Sequence, residues 1–209
     1  TPRFFTPSAC TVPTRFVYID LDDTLLDHHA AQDAALAALH ADFAAHFDGH
    51  DLADVQSVYA SANRRLWQAY GEGRITRHDV QRERFGALVD AFDLPGIDAH
   101  ALGDRNMEPY TGDRFPVLRD RAVAIVVSEE IGVMKPRPGI FAHATEATGV
   151  SAEEVLYIGD SWHSDVKGGT AFGGHVAWFR GDVRRAEGHT GVTVLTNWSD
   201  LDGLLGESP

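Results

Sequence analysis

Cysteine is all but absent from this chain of 209 residues: Cys10 stands alone. No internal disulfide can form, and a reducing, cytoplasmic setting is expected. Basic residues are scarce too, 18 against 31 acidic ones, for a net charge of −13. A chain that negative repels a nucleic-acid backbone and an anionic membrane, so neither is expected as a partner. An anionic substrate would need local positive charge, from a metal or a placed lysine. No apolar run approaches the ~18 residues that span a bilayer. The first 14 residues, with Pro2, Pro7 and Pro13, lack a signal peptide's apolar core and read as a flexible tail. Repeats and low-complexity stretches are missing as well. What remains, 44% hydrophobic and 23% charged, is an ordinary globular composition, long enough for one domain and a subdomain.

Against that background, Phe16-Val17-Tyr18-Ile19-Asp20-Leu21-Asp22-Asp23-Thr24 stands out. A short apolar run reads as a buried strand, where side chains two apart face the same way. Backbone extended past Ile19 would project Asp20 and Asp22 together from the strand's carboxyl end. Two carboxylates that close repel, so one holds a proton or a cation sits between them. The segment alone fits paired-carboxylate chemistry and a solvated acidic turn equally.

Residues 29–108 are helical in pattern and form an expected subdomain. Helices are expected over His29–Phe47, over Asp51–Tyr70 before Gly71 and Gly73, and from Thr76 (paired with Asp79 as caps) to Phe92. A fourth is expected over 98–108. From about 122 strands and helices alternate: strand Val123–Val127, a helix from Pro138 to Gly149, and strand Val155–Ile158. A helix capped by Ser164, strands at 175–179 and 192–196, and a short helix from Ser199 complete the pattern. This is an α/β chain with a doubly wound parallel sheet and an inserted helical cap. The expected boundaries are a tail over 1–14, a core over 15–27 and 113–209, and a cap over 28–112.

A second apolar strand runs into Gly159-Asp160-Ser161-Trp162-His163-Ser164-Asp165. In open parallel sheets the ligand crevice lies outside the strands' carboxyl ends, so Asp20, Asp22, Asp160 and Asp165 are expected to converge there. Four carboxylates demand a cation. With hard oxygens only, and no histidine or cysteine at ligand spacing, the donor set favours Mg²⁺ over zinc. Asp165 also suits the positive end of a helix. Lys135, in Gly132-Val133-Met134-Lys135-Pro136-Arg137-Pro138, lies beyond the carboxyl end of an expected strand. Pro136 and Pro138 stiffen its surroundings, and it reads either as a solvated surface charge or as an ammonium that pairs with the carboxylates and neutralises an incoming phosphate.

Asp20–Thr24, Lys135-Pro136-Arg137-Pro138 and Gly159–Asp165, in that order, resemble the haloacid dehalogenase-like phosphohydrolases that carry a helical cap. Gly71–Thr76 and Arg82-Glu83-Arg84-Phe85 are similar to capped phosphatases of small metabolites. The resemblance implies Asp20 as nucleophile forming an aspartyl-phosphate, and Asp22 as acid and then base. It implies Asp20 and Asp160 as Mg²⁺ ligands by carboxylate, Asp22 by its backbone carbonyl, and Asp165 holding a metal-bound water. Lys135 would orient Asp20 and neutralise the phosphate, and Thr24 would tie down the loop at the phosphate. Asp22 favours a phosphatase, because relatives that break carbon–halogen bonds lack that second aspartate.

The chain departs from the family at one point. A strand ending in a phosphate-binding Ser or Thr should stand between cap and lysine, beside the first strand. Here Tyr110–Leu118 passes within a few residues to 123–127. Either a segment is missing from the numbering near 118–122, or it is deleted and Ser128 substitutes. The first is favoured, because a parallel neighbour needs its own crossover and a central strand is hard to remove. His28 and His29 read as hinge or surface residues, His163 fills a slot between the motif aspartates that needs no chemistry, and Arg77, Arg82 and Arg84 read as helix-surface arginines or substrate contacts. The expected protein is a monomeric or homodimeric Mg²⁺-dependent phosphomonoesterase acting on a nucleoside monophosphate or sugar phosphate. A phosphosugar mutase and a catalytically dead binding module are the rivals.

Overall fold

The computed structural model describes residues 14–47, 49–94, 96–99, 102–103 and 121–205. In chain order its elements are β1 (Phe16–Ile19), α1 (His28–Asp42), α2 (Leu52–Gly71), α3 (Arg77–Ala91), α4 (Ser128–Ile131) and α5 (Pro138–Thr148). Then come β2 (Val155–Gly159), α6 (Lys167–Ala171), β3 (His175–Phe179), α7 (Val183–Ala186), β4 (Val192–Leu195) and α8 (Leu201–Leu205). The chain divides into two compact units, 28–115 and 1–27 with 116–209.

The four strands are parallel, in the order β1-β2-β3-β4, with Ile19 beside Ile158 and Gly159 beside Trp178. Alternation across the strands divides their side chains between two cores. Val155, Tyr157, Val176 and Trp178 pack with Phe141 of α5 and with Val166. Leu156, Ile158, Ala177, Phe179 and Leu195 pack with Trp198 and with Leu201 and Leu204 of α8. Both faces are covered, as a parallel sheet requires.

In the other unit, α2 and α3 start at capping boxes, Asp51 with Asp54 and Thr76 with Asp79. Each box satisfies orphan N–H groups at a helix start. Leu36 and Leu39 of α1, Val55 and Tyr59 of α2, and Phe85 and Leu88 of α3 form the core. At the end of α5, Gly149 takes φ 66°, the left-handed conformation that made glycine the expected stop.

Four expectations change. Residues 123–127 form no strand: Val123 is 78% and Ile125 47% exposed, and no described residue pairs with them. A β-branched run is a strand only when its backbone finds a partner, and none stands beside this one among the described residues. The helix expected from Ser164 begins earlier, as a π-helical turn Trp162–Val166 whose start Ser161 caps by accepting from the Ser164 N–H. The first cap helix stops at Asp42, and a 3₁₀ turn, Ala44–His46, covers the rest of its expected length. Of the helix over 98–108, residues 99, 102 and 103 are helical and the remainder is mostly outside the described residues. So are 118–120, where a segment was expected to be missing. Among the described residues β1 is an edge strand, its last residue Ile19 38% exposed.

Candidate active site

The parallel register sets the ends of β1 and β2 side by side. The Asp20 N–H donates to the Ile158 carbonyl at 2.8 Å, carrying the ladder one residue past β1, and Asp160 follows directly on β2. The turn 162–166 then brings Asp165 back. Asp20, Asp160 and Asp165 each place a carboxylate oxygen within 4.8 Å of the others. Lys135, whose peptide bond to Pro136 is cis, donates to Asp20 and, at 2.5 Å, to Asp165 Oδ1. The other Asp165 oxygen accepts the Ser161 N–H at 3.0 Å. Thr24, buried, donates its hydroxyl to Asp160 Oδ1 at 3.5 Å.

A glycine is needed at 159. Built there, a Cβ would fall on the Asp165 carboxyl group, closer than real contacts allow. Without one, the end of β2 lets two carboxylates and an ammonium crowd together. Gly159 and Ser161 were missed as site residues, although a glycine just before Asp160 is the kind of signal that marks a close approach.

Two candidates are not members of that cluster. Extended backbone stops at Ile19, and the Leu25 and Leu26 N–H groups donate back to the Leu21 carbonyl, forming a tight turn. Asp23 takes φ 59° within it. The extended backbone expected past Ile19 thus gives way to a turn, in which Asp22 is exposed and is not one of the three clustered carboxylates. Ser128 opens α4, half-buried, and makes no hydrogen bond with Asp20, Lys135, Asp160 or Asp165 among the described residues.

The charges explain the geometry. Burial raises the Asp160 pKa, and the charges of Asp165 and Asp20 raise it further. Burial also raises that of Asp165, with Asp20 adding and Lys135 opposing. For Lys135 burial works downward, yet Asp165 and Asp20 outweigh it and its pKa rises, so the ammonium keeps its proton. Three carboxylates and one ammonium leave two negative charges, which one divalent cation neutralises. The donors are hard oxygens, the chemistry of Mg²⁺. The residues therefore fit that ion.

Stability should follow pH accordingly. Asp160 and Asp165 have folded-state values above their ordinary 3.8, so in metal-free protein their stability cost grows as pH rises from that value through the raised ones. The contribution of Lys135 holds below its ordinary 10.5 and fades as pH rises through its higher folded value. Melting curves in chelator and in Mg²⁺ should show a Mg²⁺ gain that is large at about pH 7 and small at about pH 4. An equal gain at both would contradict this electrostatic picture.

A family model described as haloacid dehalogenase-like hydrolase matches residues 14–173. YfnB of Bacillus subtilis, a putative HAD-hydrolase, is 29% identical over 208 positions, covering 81% of this chain and 86% of its own. YjjG of Escherichia coli, a pyrimidine 5'-nucleotidase, is 28% identical over 225 positions, covering 91% of this chain and 97% of its own. A crystal structure of YfnB bound to magnesium matches with a TM-score of 0.72 at 26% identity, over 92% of this chain and 98% of that one. The YfnB alignment takes in about 170 of the 209 residues, so about 40 of its 208 positions have no residue in this chain. Among the described residues, no helix is long and apolar enough to cross a membrane.

Proposed function

The chain belongs to the haloacid dehalogenase-like hydrolases, and on that premise we propose that it is a Mg²⁺-dependent phosphomonoesterase working through an aspartyl-phosphate on Asp20. The observation that carries this reading is the Lys135 bridge between Asp20 and Asp165, with Asp160 in the same cluster. Such a group suits phosphoryl transfer, which needs a positioned nucleophile and compensated charge more than covalent machinery.

In the proposed reaction an Asp20 carboxylate oxygen attacks phosphorus in line as the bond to the leaving oxygen breaks, and Asp22 protonates that oxygen. Asp22 then takes a proton from water. The hydroxide attacks phosphorus, the acyl–phosphate bond breaks, and inorganic phosphate leaves with Asp20 restored. Lys135 holds the Asp20 carboxylate in orientation and offsets phosphate charge. Asp20 and Asp160 would hold the Mg²⁺, with Asp22 through its backbone carbonyl and Asp165 behind them. When bound, the ion supplies positive charge that offsets the repulsion between nucleophile and phosphate. Thr24 ties the 21–26 turn to Asp160, and Ser128 is the hydroxyl proposed for the phosphate.

The substrate class proposed is a small phosphorylated metabolite, a nucleoside monophosphate or sugar phosphate. The nucleotidase name of YjjG supports the first. The test is inorganic phosphate release from a panel of both, with Mg²⁺ and with chelator. Release from one class in Mg²⁺ alone is the expected result. No release from any monoester, with Mg²⁺ bound, would leave a binding module. Phosphate returned to the sugar without net release would make the protein a mutase.

A further inference from the structure

The loop that carries Asp160 and Asp165 is braced from behind by an aromatic stack. Trp178, 7% exposed on β3, donates its indole N–H to the Asp160 backbone carbonyl at 2.6 Å. Trp162, which opens the turn leading to Asp165, packs on Trp178 with ring centroids 4.7 Å apart. Arg185 of α7 lies over both rings, 4.5 Å from the centroid of Trp162 and 5.8 Å from that of Trp178. His189 and Trp162 form a T-shaped pair with ring centroids 5.0 Å apart. Space for Trp178 exists because residue 181 is glycine: a Cβ there would overlap the indole ring.

Packing alone accounts for neither of two details. The one polar atom of a nearly buried indole is spent on the backbone of a carboxylate in the site, where a phenyl ring would fill much of the same space. A cation also sits on the outer face of the stack, holding Trp162 against Trp178 from an exposed position. The two rings thus grip the acidic loop at both ends, Trp178 at Asp160 and Trp162 at the start of the turn bearing Asp165. We propose that Trp178, backed by Trp162 and Arg185, is a positioning residue that holds Asp160 in the geometry that receives the divalent cation. The proposal rests on the metal reading of the trio. Removing a group that orients a metal ligand typically costs about 10–100-fold in metal affinity.

The test is calorimetric titration of the metal-free protein with Mg²⁺, with no substrate present, beside melting curves. Trp178→Phe keeps an aromatic ring and deletes the N–H, and should weaken Mg²⁺ binding about tenfold. Arg185→Gln, at an exposed position, should weaken it about twofold while the protein melts as before. If Trp178→Phe binds Mg²⁺ like the parent and merely melts earlier, Trp178 is packing and the proposal is overturned. Should Trp178→Phe not fold, Arg185→Gln decides: unchanged Mg²⁺ affinity overturns the proposal. A parent that binds no Mg²⁺ overturns the metal reading and this proposal together. A parent that binds Mg²⁺ but releases no phosphate overturns the phosphatase reading alone.

Discussion

Asp20→Asn lowers phosphate release by about four orders of magnitude or more, the scale seen when a covalent nucleophile is removed from a coupled site. The amide keeps the shape of the carboxyl group, so the fold has little reason to change. Its oxygen is a far weaker nucleophile and carries no charge, so neither attack on phosphorus nor full compensation by Lys135 survives. Lys135 retains Asp165 as partner, at 2.5 Å, which keeps the ammonium from being stranded. Parallel melting curves separate the chemical effect from a folding one. A variant with native melting and more than about a hundredth of parental turnover would reject Asp20 as nucleophile.

Lys135→Met affects stability and catalysis together. The side chains of Lys135 and Asp20 are 26% and 21% exposed, while Asp165 is 6%. Breaking a fully buried pair costs about 3–5 kcal/mol because the remaining charge is left uncompensated. With this degree of exposure, about 2–3 kcal/mol is expected in metal-free protein at neutral pH. Part should return on acidification, as Asp165 takes up a proton, and part with Mg²⁺. Turnover should fall about 10²–10³-fold, the scale for one lost charge-stabilising donor. Equal stability in chelator with turnover within about tenfold of the parent would show that Lys135 is only a surface charge.

Much of this was legible in the sequence where the signals were local. α2 and α3 announce themselves by Asp51 and by the Thr76–Asp79 pair, and α5 by Pro138 and Gly149. β2 and β3 are short apolar runs bounded by glycine or turn residues. Asp20, Asp160 and Asp165 were legible because parallel strands bring their carboxyl ends to one edge, and Lys135 through its Lys-Pro-Arg-Pro motif rather than the strand expected before it; the structure brings these four together. Non-local packing was not legible. Val123–Val127 has a strand's composition, but pairing depends on a partner no local pattern can supply. The turn over 21–26 diverts Asp22, and nothing in Asp-Leu-Asp-Asp-Thr distinguishes it from extended backbone. Trp178 reads as a core residue of β3; its bond to Asp160 depends on the β2–β3 register.

The region between cap and lysine shows the same division. Its shortness is plain from Tyr110–Leu118 running straight toward 123–127. Over the whole YfnB alignment about 40 positions have no residue in this chain, against the dozen residues or more that a crossover between parallel strands needs. Among the described residues, Ile19 at the end of β1 is 38% exposed and Ile125 is 47% exposed. Ser128, at the start of α4, is the hydroxyl proposed for the phosphate.

The measurement that tests the central claim most directly is mass analysis of peptides from protein quenched in acid during turnover of a hydrolysed monoester. The account predicts the mass of one phosphoryl group on the peptide containing Asp20, absent from Asp20→Asn and more abundant in Asp22→Asn, where hydrolysis of the intermediate is slowed. Phosphate release at full rate with no phosphoryl group on Asp20 in any of the three proteins would contradict it.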